Sequence, residues 1–160
     1  MNYLLFFLLV TVTICQDEYG CEDCECPDLF DKYDSLVGDK SSVLYTKEAG
    51  CVYNITCMTS IPYHWTLVMF HFNDSEIPLP DNAFDYALAR ASNIEAPIDL
   101  IVNIFEFFGM VCENSEWYFT KYPHGISYRN STGEYIIGAD GELDGKKSKI
   151  DEFYCTPLSK

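Results

Sequence analysis

Three of the eight cysteines of this chain fall within one heptapeptide, CEDCECP, and their bonding constrains the fold more than any other feature. Cys21, Cys24 and Cys26 could hold a metal, form a redox pair, or bridge to distant parts of the chain. A redox Cys-x-x-Cys usually belongs to a βαβ context, and zinc needs a fourth ligand at a suitable spacing. The sequence offers neither, so the compartment in which the chain folds decides the matter.

An apolar run of twelve uncharged residues, 3–14, opens the chain. It is shorter than the roughly 20 residues that span a bilayer and has the length of a signal-peptide core. Thr13 and Cys15 suit a cleavage site, so the sequence predicts a signal peptide over 1–15 and a secreted, extracellular protein without a membrane span. Cysteines in the secretory pathway form disulfides by default, which favours structural bridges. We therefore expect no metal and no cofactor.

Three Asn-x-Ser/Thr sequons, at Asn54, Asn73 and Asn130, agree with secretion. Such sequons accept N-glycans in chains that enter the secretory pathway, so the sequence predicts a glycoprotein. In a strand over 51–57, alternation would turn Asn54 toward water and the cysteines at both ends of the segment inward. Those two cysteines would lie about 20 Å apart, so each must pair elsewhere.

The net charge of −15 excludes some partners. Nucleic-acid binding needs a basic stripe, and only Lys146, Lys147 and Lys149 cluster, so we expect no nucleic acid as a partner. Eight acidic residues fall in the segment 16–34, which we interpret as an acidic, solvated N-terminal arm. Its carboxylates lack the ordered spacing of a calcium loop.

Strand-forming residues recur along the chain with turn residues between them, which predicts a mainly β fold. We expect one small, antiparallel, β-sandwich-like domain over 16–160 that is stabilised by disulfides. One short inserted helix is predicted at 82–91, because Phe84, Ala87 and Leu88 fall at helical spacing. The predicted strands are 51–57, 65–73, 101–112, 116–121, 125–129, 134–138 and 149–155.

Catalytic motifs are missing from the sequence: it has no nucleophile elbow, no His-Glu-x-x-His and no glycine-rich phosphate loop, so we expect no enzyme. His64 and His71 lie in an apolar predicted strand and are interpreted as structural. Trp117, Tyr118 and Tyr122 form a candidate aromatic binding surface, although core packing of Trp117 is the alternative that we favour. The function most consistent with these features is binding of an extracellular protein or a glycan. A secreted inhibitor or effector of another enzyme is the alternative.

The order of the cysteines and their neighbours is similar to a known pattern. It consists of Cys21-x-x-Cys24, Gly50-Cys51, Ile55-Thr56-Cys57, Val111-Cys112, Glu113-Asn114 with Trp117, and Tyr154-Cys155. This order resembles the six-cysteine domain of nematode secreted proteins and its close uncharacterised relatives, an extracellular module of unknown function. The likeness covers nearly the whole chain after the predicted leader.

The resemblance implies that the first and third cysteines of the family pattern bond to each other. Carried over to this chain, it pairs Cys51 with Cys21 or Cys24. Cys26 is additional to the family pattern, so the choice between the two partners stays open.

Two further expectations concern the other cysteines. We favour a bridge between Cys112 and Cys155, because these two residues end neighbouring predicted strands. Removal of a leader that contains Cys15 leaves seven cysteines, which is an odd number. The spare one near the N-terminus is a candidate link for a disulfide-linked homodimer.

Overall fold

Antiparallel strands make up most of the structure. The computed structural model of the protein describes residues 24–33, 43–57, 64–91 and 102–157. The strands in these ranges are β1 (Val43–Glu48), β2 (Val52–Cys57), β3 (His64–His71), β4 (Ala83–Arg90), β5 (Val102–Asn103), β6 (Met110–Glu113), β7 (Glu116–Phe119), β8 (Ile126–Asn130), β9 (Gly133–Ile137), β10 (Ser148–Lys149) and β11 (Glu152–Pro157). The α-helices there are α1 (Leu29–Lys32) and α2 (Ile104–Phe107).

The strands form three antiparallel sheets, in the orders β11-β3-β4-β8-β9, β1-β2-β5 and β10-β7-β6. In the five-stranded sheet, Val68 and Phe70 are buried, whereas Met69 and His71, which alternate with them, are half-buried. We call the side of Val68 and Phe70 the inner face and the side of Met69 and His71 the outer face. The mainly β, antiparallel fold confirms the predicted class.

Aromatic rings connect the three sheets through the core. The rings of Phe70 on β3 and Phe119 on β7 lie 5.5 Å apart. Trp117 on β7 contacts Tyr53 on β2, also with 5.5 Å between ring centroids. All four side chains are buried. Because each such ring removes on the order of 150 to 250 Å² of surface from water, these contacts hold the sheets together.

Most predicted strands are confirmed, with ends that differ by at most two residues. The strands confirmed in this way are those predicted at 51–57, 65–73, 116–121, 125–129 and 134–138. The strand predicted at 149–155 is divided into β10 and β11, which belong to different sheets. The chain therefore changes sheets at residues 150–151.

The helix predicted at 82–91 is wrong, because Ala83–Arg90 forms β4, which pairs with β3 and β8. The same residues also fit strand alternation. Ala87 and Ala89 are buried on the inner face, and Leu88 between them faces outward. Hydrogen-bonding neighbours on both sides satisfy the backbone of this segment and outweigh the helical propensity of alanine.

The continuous strand predicted at 101–112 is also wrong, because α2 interrupts it. The side chain of Asn103 caps this helix by accepting a hydrogen bond from the backbone N–H of Phe105 at 3.2 Å. Gly109, with a φ of +57°, then turns the chain into β6. A Cβ at this glycine would lie 2.8 Å from Oγ1 of Thr120. β5 and β6 consequently belong to different sheets.

Strand β1 lies where the sequence analysis predicts neither a helix nor a strand. Only Val43 is buried in it, and the rest of its side chains are half-buried or exposed. The regular alternation that marks a half-buried strand is therefore missing. The strand forms because a tight turn through Gly50 and Cys51, both with positive φ, returns the chain antiparallel to β2.

Three disulfides join the described segments. They are Cys24–Cys51, Cys26–Cys112 and Cys57–Cys155. Cys51 thus pairs with one of the two partners that the family resemblance implies. The Cys112–Cys155 bridge is wrong, because β6, which ends near Cys112, pairs with β7, whereas β11 pairs with β3. Cys26, which is additional to the family pattern, is the partner of Cys112.

The described part of the acidic arm, 24–33, is packed onto the domain. Leu29 and Tyr33 are buried in the core, whereas Glu25 and Asp31 are exposed, so the interpretation of this part as solvated holds for those carboxylates and is wrong for the apolar side chains. The side chain of Asp28 caps α1 and forms an ion pair with Lys47 on β1, with 2.6 Å between Oδ2 and Nζ. Apolar side chains, a helix cap and two disulfides therefore attach this segment to the domain, although its acidic composition indicated that it would be exposed to solvent.

Candidate binding face of the five-stranded sheet

Two of the three residues in the predicted aromatic surface belong to the core. Trp117 is buried, and its Nε1 donates to the carbonyl oxygen of Pro27 at 2.8 Å. Tyr122 is buried as well, shares a 2.7 Å hydrogen bond with Oγ of Ser148, and has its pKa raised well above the usual range by that burial. Tyr118 is half-buried. The core packing that we favoured for Trp117 is confirmed by its burial, and the burial of Tyr122 removes that ring from the candidate surface as well.

Exposed apolar side chains lie instead on the outer face. Met69, Leu88, Ser127 and Ile136 are successive cross-strand neighbours on β3, β4, β8 and β9. Ile136 is 56% exposed, and Met69 and Leu88 are half-buried. We call these four residues the outer band. A contiguous apolar band that reaches the surface marks a contact site more strongly than isolated apolar residues do.

Two aromatic rings extend the outer band along β4. Phe84 and Tyr86 have ring planes only 12° apart and centroids 6.3 Å apart. Phe84 is 48% exposed, and Tyr86 is half-buried. Parallel exposed rings present flat apolar surface and negative ring faces, to which the C–H face of a sugar or a cationic side chain can bind.

Ser127 lies at the centre of the outer band and is recessed. It is only 6% exposed, and its Oγ has no hydrogen-bond partner within the described part of the chain. A buried hydroxyl without a partner costs roughly 1 to 3 kcal/mol, and each such group in a native structure calls for an explanation.

Charged side chains border the outer band on the side of β9. Glu134 accepts from Arg90 at 3.0 Å and from Arg129 at 3.1 Å. Partial burial works to raise the pKa of Glu134, but the hydrogen bonds and charges of the two arginines outweigh it and lower the pKa. Because Arg90 is on β4 and Glu134 on β9, their ion pair crosses β8 on the outer face.

His71 borders the outer band on the other side. Its Nδ1 lies 2.8 Å from the carbonyl oxygen of Asp85, and its Nε2 lies 3.3 Å from Oδ2 of Asp151. Partial burial works to lower the pKa of His71, but the Asp85 carbonyl and the carboxylates of Asp151 and Asp85 raise it above the usual value. Both ring nitrogens have partners, so the ring is held in place. The side chain of His64 lies outside the described residues.

The three predicted glycosylation sites have different surroundings. Asn54 and Asn130 each accept a 2.7 Å hydrogen bond at Oδ1 from the hydroxyl of their own sequon, from Thr56 and Thr132 respectively. Asn73 instead donates from Nδ2 to a neighbouring carboxylate at 2.7 Å. Asn54 and Asn73 are exposed, and Asn130 is half-buried. All three are within reach of solvent.

Among the described residues, one group of three potential metal ligands comes together. The sulfur atoms of Cys24, Cys51 and Cys112 lie within 4.8 Å of one another. Each of these sulfurs is bonded in a disulfide and offers no thiolate to a metal. The expectation that the protein has no metal or cofactor stays a prediction.

The sequence does not point to the outer face as a site. A helix over 82–91 would not place Tyr86 and Leu88 in a sheet, and the strands predicted at 125–129 and 134–138 do not specify their neighbours. Reading 83–90 as a strand would have put Phe84, Tyr86 and Leu88 on one face.

Fold and site together define a small, mainly antiparallel β domain with three disulfides and an exposed apolar face. Residues 22–155 match the family described as TRA-1 regulated protein R03H10.4, and the chain belongs to this nematode family of unknown function. No curated protein and no solved structure matches the chain. Within the described residues, no helix combines the length and apolar character needed to cross a membrane.

Proposed function

We propose that this protein is a secreted, N-glycosylated domain of the six-cysteine type that acts by binding and not by catalysis. The apolar run at 3–14 and the three surface sequons support secretion. The disulfides support it further, because each joins distant segments and such bridges persist in oxidising compartments.

The outer face is the proposed binding surface. The observation that carries this proposal is the recessed hydroxyl of Ser127, which has no described partner at the centre of an exposed apolar band. Charged groups around Glu134 and His71 border the band. An apolar centre with a polar border is the usual anatomy of a recognition surface, for an extracellular protein or a glycan.

The charge of the chain narrows the class of ligand. A net charge of −15 repels nucleic acids and sulfated glycans and favours neutral or basic ligands. Two of the three clustered lysines are engaged with carboxylates, Lys147 with Glu113 at 2.5 Å and Lys149 with Glu116 at 3.1 Å. They do not form an open basic stripe.

The test is a binding screen with defined probes: an array of neutral, basic and sulfated glycans, and a panel of purified extracellular proteins. Tyr86→Ala and Ile136→Ser alter the outer face, and Leu44→Ser removes an equally exposed apolar side chain from β1 as the matched control. We expect binding to a neutral or basic probe that both outer-face variants weaken and Leu44→Ser preserves. Binding that all three variants preserve would exclude this face, and hydrolysis of any substrate by the purified protein would overturn the non-enzymatic proposal.

A secreted inhibitor of another enzyme is the second candidate. One observation favours it: the turn between β1 and β2 is exposed at Gly50 and fastened at its base by the Cys24–Cys51 disulfide. A rigid, protruding segment of this kind suits the active-site cleft of a protease. A protease-inhibition panel with Ala49→Arg tests it, since inhibition that this substitution abolishes would favour the inhibitor over the outer-face proposal.

We also propose a disulfide-linked homodimer through Cys21. The three described disulfides use six cysteines, and removal of a leader that contains Cys15 leaves Cys21 as the remaining one. Non-reducing electrophoresis of the secreted protein should show a dimer that Cys21→Ser converts to a monomer. A monomer in the wild type would contradict the proposed link.

A further inference from the structure

The geometry around Asn130 points to a docking platform for the protein's own glycan: we propose that the first N-acetylglucosamine on Asn130 packs against the ring of Tyr135. This inference rests on the secretion and glycosylation proposed above. Both residues belong to the hairpin formed by β8 and β9, at the edge of the five-stranded sheet.

The side-chain amide of Asn130 is held in one orientation. Its Oδ1 accepts three hydrogen bonds, from the N–H of Thr132 at 2.8 Å, the hydroxyl of Thr132 at 2.7 Å and the N–H of Gly133 at 3.2 Å. With Oδ1 directed into the turn, Nδ2 projects away from it. The cross-strand partner, Gly133, has no side chain, and a Cβ at that position would meet nothing within 4 Å. The space beside the cross-strand partner of Asn130 is therefore open.

A second hydrogen bond places Tyr135 beside this amide. The hydroxyl of Thr132 donates to the side-chain oxygen Oδ1 of Asn130, so in its 2.7 Å contact with the Tyr135 hydroxyl it is the acceptor. The Tyr135 hydroxyl thus donates to the Thr132 hydroxyl, which in turn donates to the side chain of Asn130. The glycan acceptor and the aromatic ring are thus fixed relative to each other before any sugar is attached.

The ring of Tyr135 is exposed on one side and supported on the other. It is 42% exposed, and its other side packs on Tyr128 at 5.7 Å with an interplanar angle of 26°. Tyr128 in turn contacts the buried ring of Phe72 at 6.4 Å. A pyranose ring that stacks on Tyr135 would continue this row of three aromatic rings. Its C–H face would cover the exposed apolar side of the Tyr135 ring.

Attachment of the glycan leaves the described hydrogen bonds of Asn130 intact. One hydrogen of Nδ2 is replaced by a bond to C1 of N-acetylglucosamine, and the pyrophosphate of a lipid-linked oligosaccharide donor leaves with the proton. Every described hydrogen bond of Asn130 uses Oδ1, so none is lost.

Asn54 provides a matched control within the same chain. Its sequon makes the same hydroxyl-to-Oδ1 hydrogen bond. However, the side chains that share its face of β2 are Val52 and Thr56, and its cross-strand partner is Thr46, so none of these described neighbours is a ring. Sugars at Asn54 and Asn130 should therefore differ in packing and not in attachment.

The experiment is a double-mutant cycle on the full chain secreted from a eukaryotic host. Wild type, Asn130→Gln, Tyr135→Ala and the double variant are compared by melting temperature, with Asn54→Gln as the control. We expect Asn130→Gln to lower the melting temperature by about 2 to 4 °C. In the Tyr135→Ala background the same substitution should have little effect, and Asn54→Gln should have little effect in either background. Tyr135→Phe keeps the ring and should keep most of the coupling.

Because Tyr135 and Asn130 also communicate through Thr132, the same cycle is repeated on protein made without glycosylation. Coupling that persists there would assign it to the hydrogen bonds and overturn the inference. A direct readout is the acetamido methyl resonance of protein trimmed to one sugar per site, which should shift upfield at Asn130 and return on Tyr135→Leu.

Intact-mass analysis separates failure of this inference from failure of the proposed function. A glycan at Asn54 with Asn130 unoccupied would overturn the docking platform and leave secretion and glycosylation standing. Three unoccupied sequons in the secreted protein would overturn the proposed glycosylation together with the inference.

Discussion

Two aromatic groups in this molecule both lie on strands but differ in burial. Trp117 on β7 is buried against Tyr53, and its indole N–H is bonded to the N-terminal arm. Phe84 and Tyr86 on β4 lie side by side on the outer face, where Phe84 is about half exposed. Both groups belong to strands with neighbours on each side. The two groups differ in burial because other elements pack over Trp117 on β7, whereas this part of β4 stays exposed. The type of aromatic residue does not determine which outcome occurs.

The largest effect is expected from removing the bridge that fastens the arm over the buried group. The Cys26–Cys112 disulfide has a sequence separation of 86, for which the chain-entropy model predicts about 4 to 5 kcal/mol. The Cys26→Ser/Cys112→Ser double variant should lose a comparable free energy of unfolding in guanidinium titrations. A loss below about 1 kcal/mol, outside the usual range for native bridges, would mean that the Cys24–Cys51 disulfide and the packing of Leu29 and Tyr33 hold the arm without this bridge.

Truncating each aromatic group tests the comparison directly. Trp117→Ala should destabilise the fold by about 3 to 5 kcal/mol, because it opens a cavity between β7, β2 and α2. Phe84→Ala should change the free energy of unfolding by no more than about 0.5 kcal/mol, as at other surface positions. Urea titrations of the two variants measure both values. A large loss for Phe84→Ala would show that the outer face is covered in solution.

Two buried serines, one in the core and one on the outer face, allow the same comparison with smaller expected effects. Ser148 makes 2.7 Å hydrogen bonds with Ser75 and Tyr122, so Ser148→Ala should cost about 1 to 3 kcal/mol by leaving partners unsatisfied. Ser127 has no described partner, so Ser127→Ala should be neutral or stabilising in thermal unfolding. The same Ser127→Ala variant should weaken binding of any ligand found on the outer face. A clear loss of stability would contradict the recessed, unpartnered hydroxyl.

The smallest effect concerns pH. The raised pKa of His71 means that its contribution to stability is complete below its unfolded pKa, near 6.5, and is lost as the pH rises through the folded value. The group is 42% exposed, so screening limits the effect to the few tenths of a kcal/mol usual for exposed pairs. NMR titration should find the pKa of His71 elevated in the wild type and lower in Asp151→Asn. An unchanged pKa in that variant would remove Asp151 as a cause.

Local pattern explains which parts of the fold are predictable from the sequence. Alternation of side chains over 51–57 and 65–73, with turn residues between segments, depends on neighbours along the chain, and those strands are confirmed. Over 82–91 the residues fit both a helix and a strand, and the strand forms because β3 and β8 supply hydrogen-bonding partners. Backbone partners from remote segments outweighed local propensity there.

The candidate site was less predictable, because exposure is decided by packing between layers. The aromatic run at 117–122 has the composition of a ligand platform, yet Trp117 and Tyr122 fill the core. The outer band needs the register of four strands to bring Met69 and Ile136 onto one surface. That register depends on contacts between residues far apart in the chain.

By itself, the sequence determined the mainly β class, most strand positions and a disulfide framework, because strand periodicity and cysteine content are local or compositional properties. Tertiary structure decided that Cys26 bonds to Cys112 and Cys57 to Cys155, because a bridge needs α-carbons within roughly 7 Å, which only the packed sheets provide. It also decided which rings are buried and which remain open. Burial depends on the layer that covers a strand, and that layer comes from distant parts of the chain.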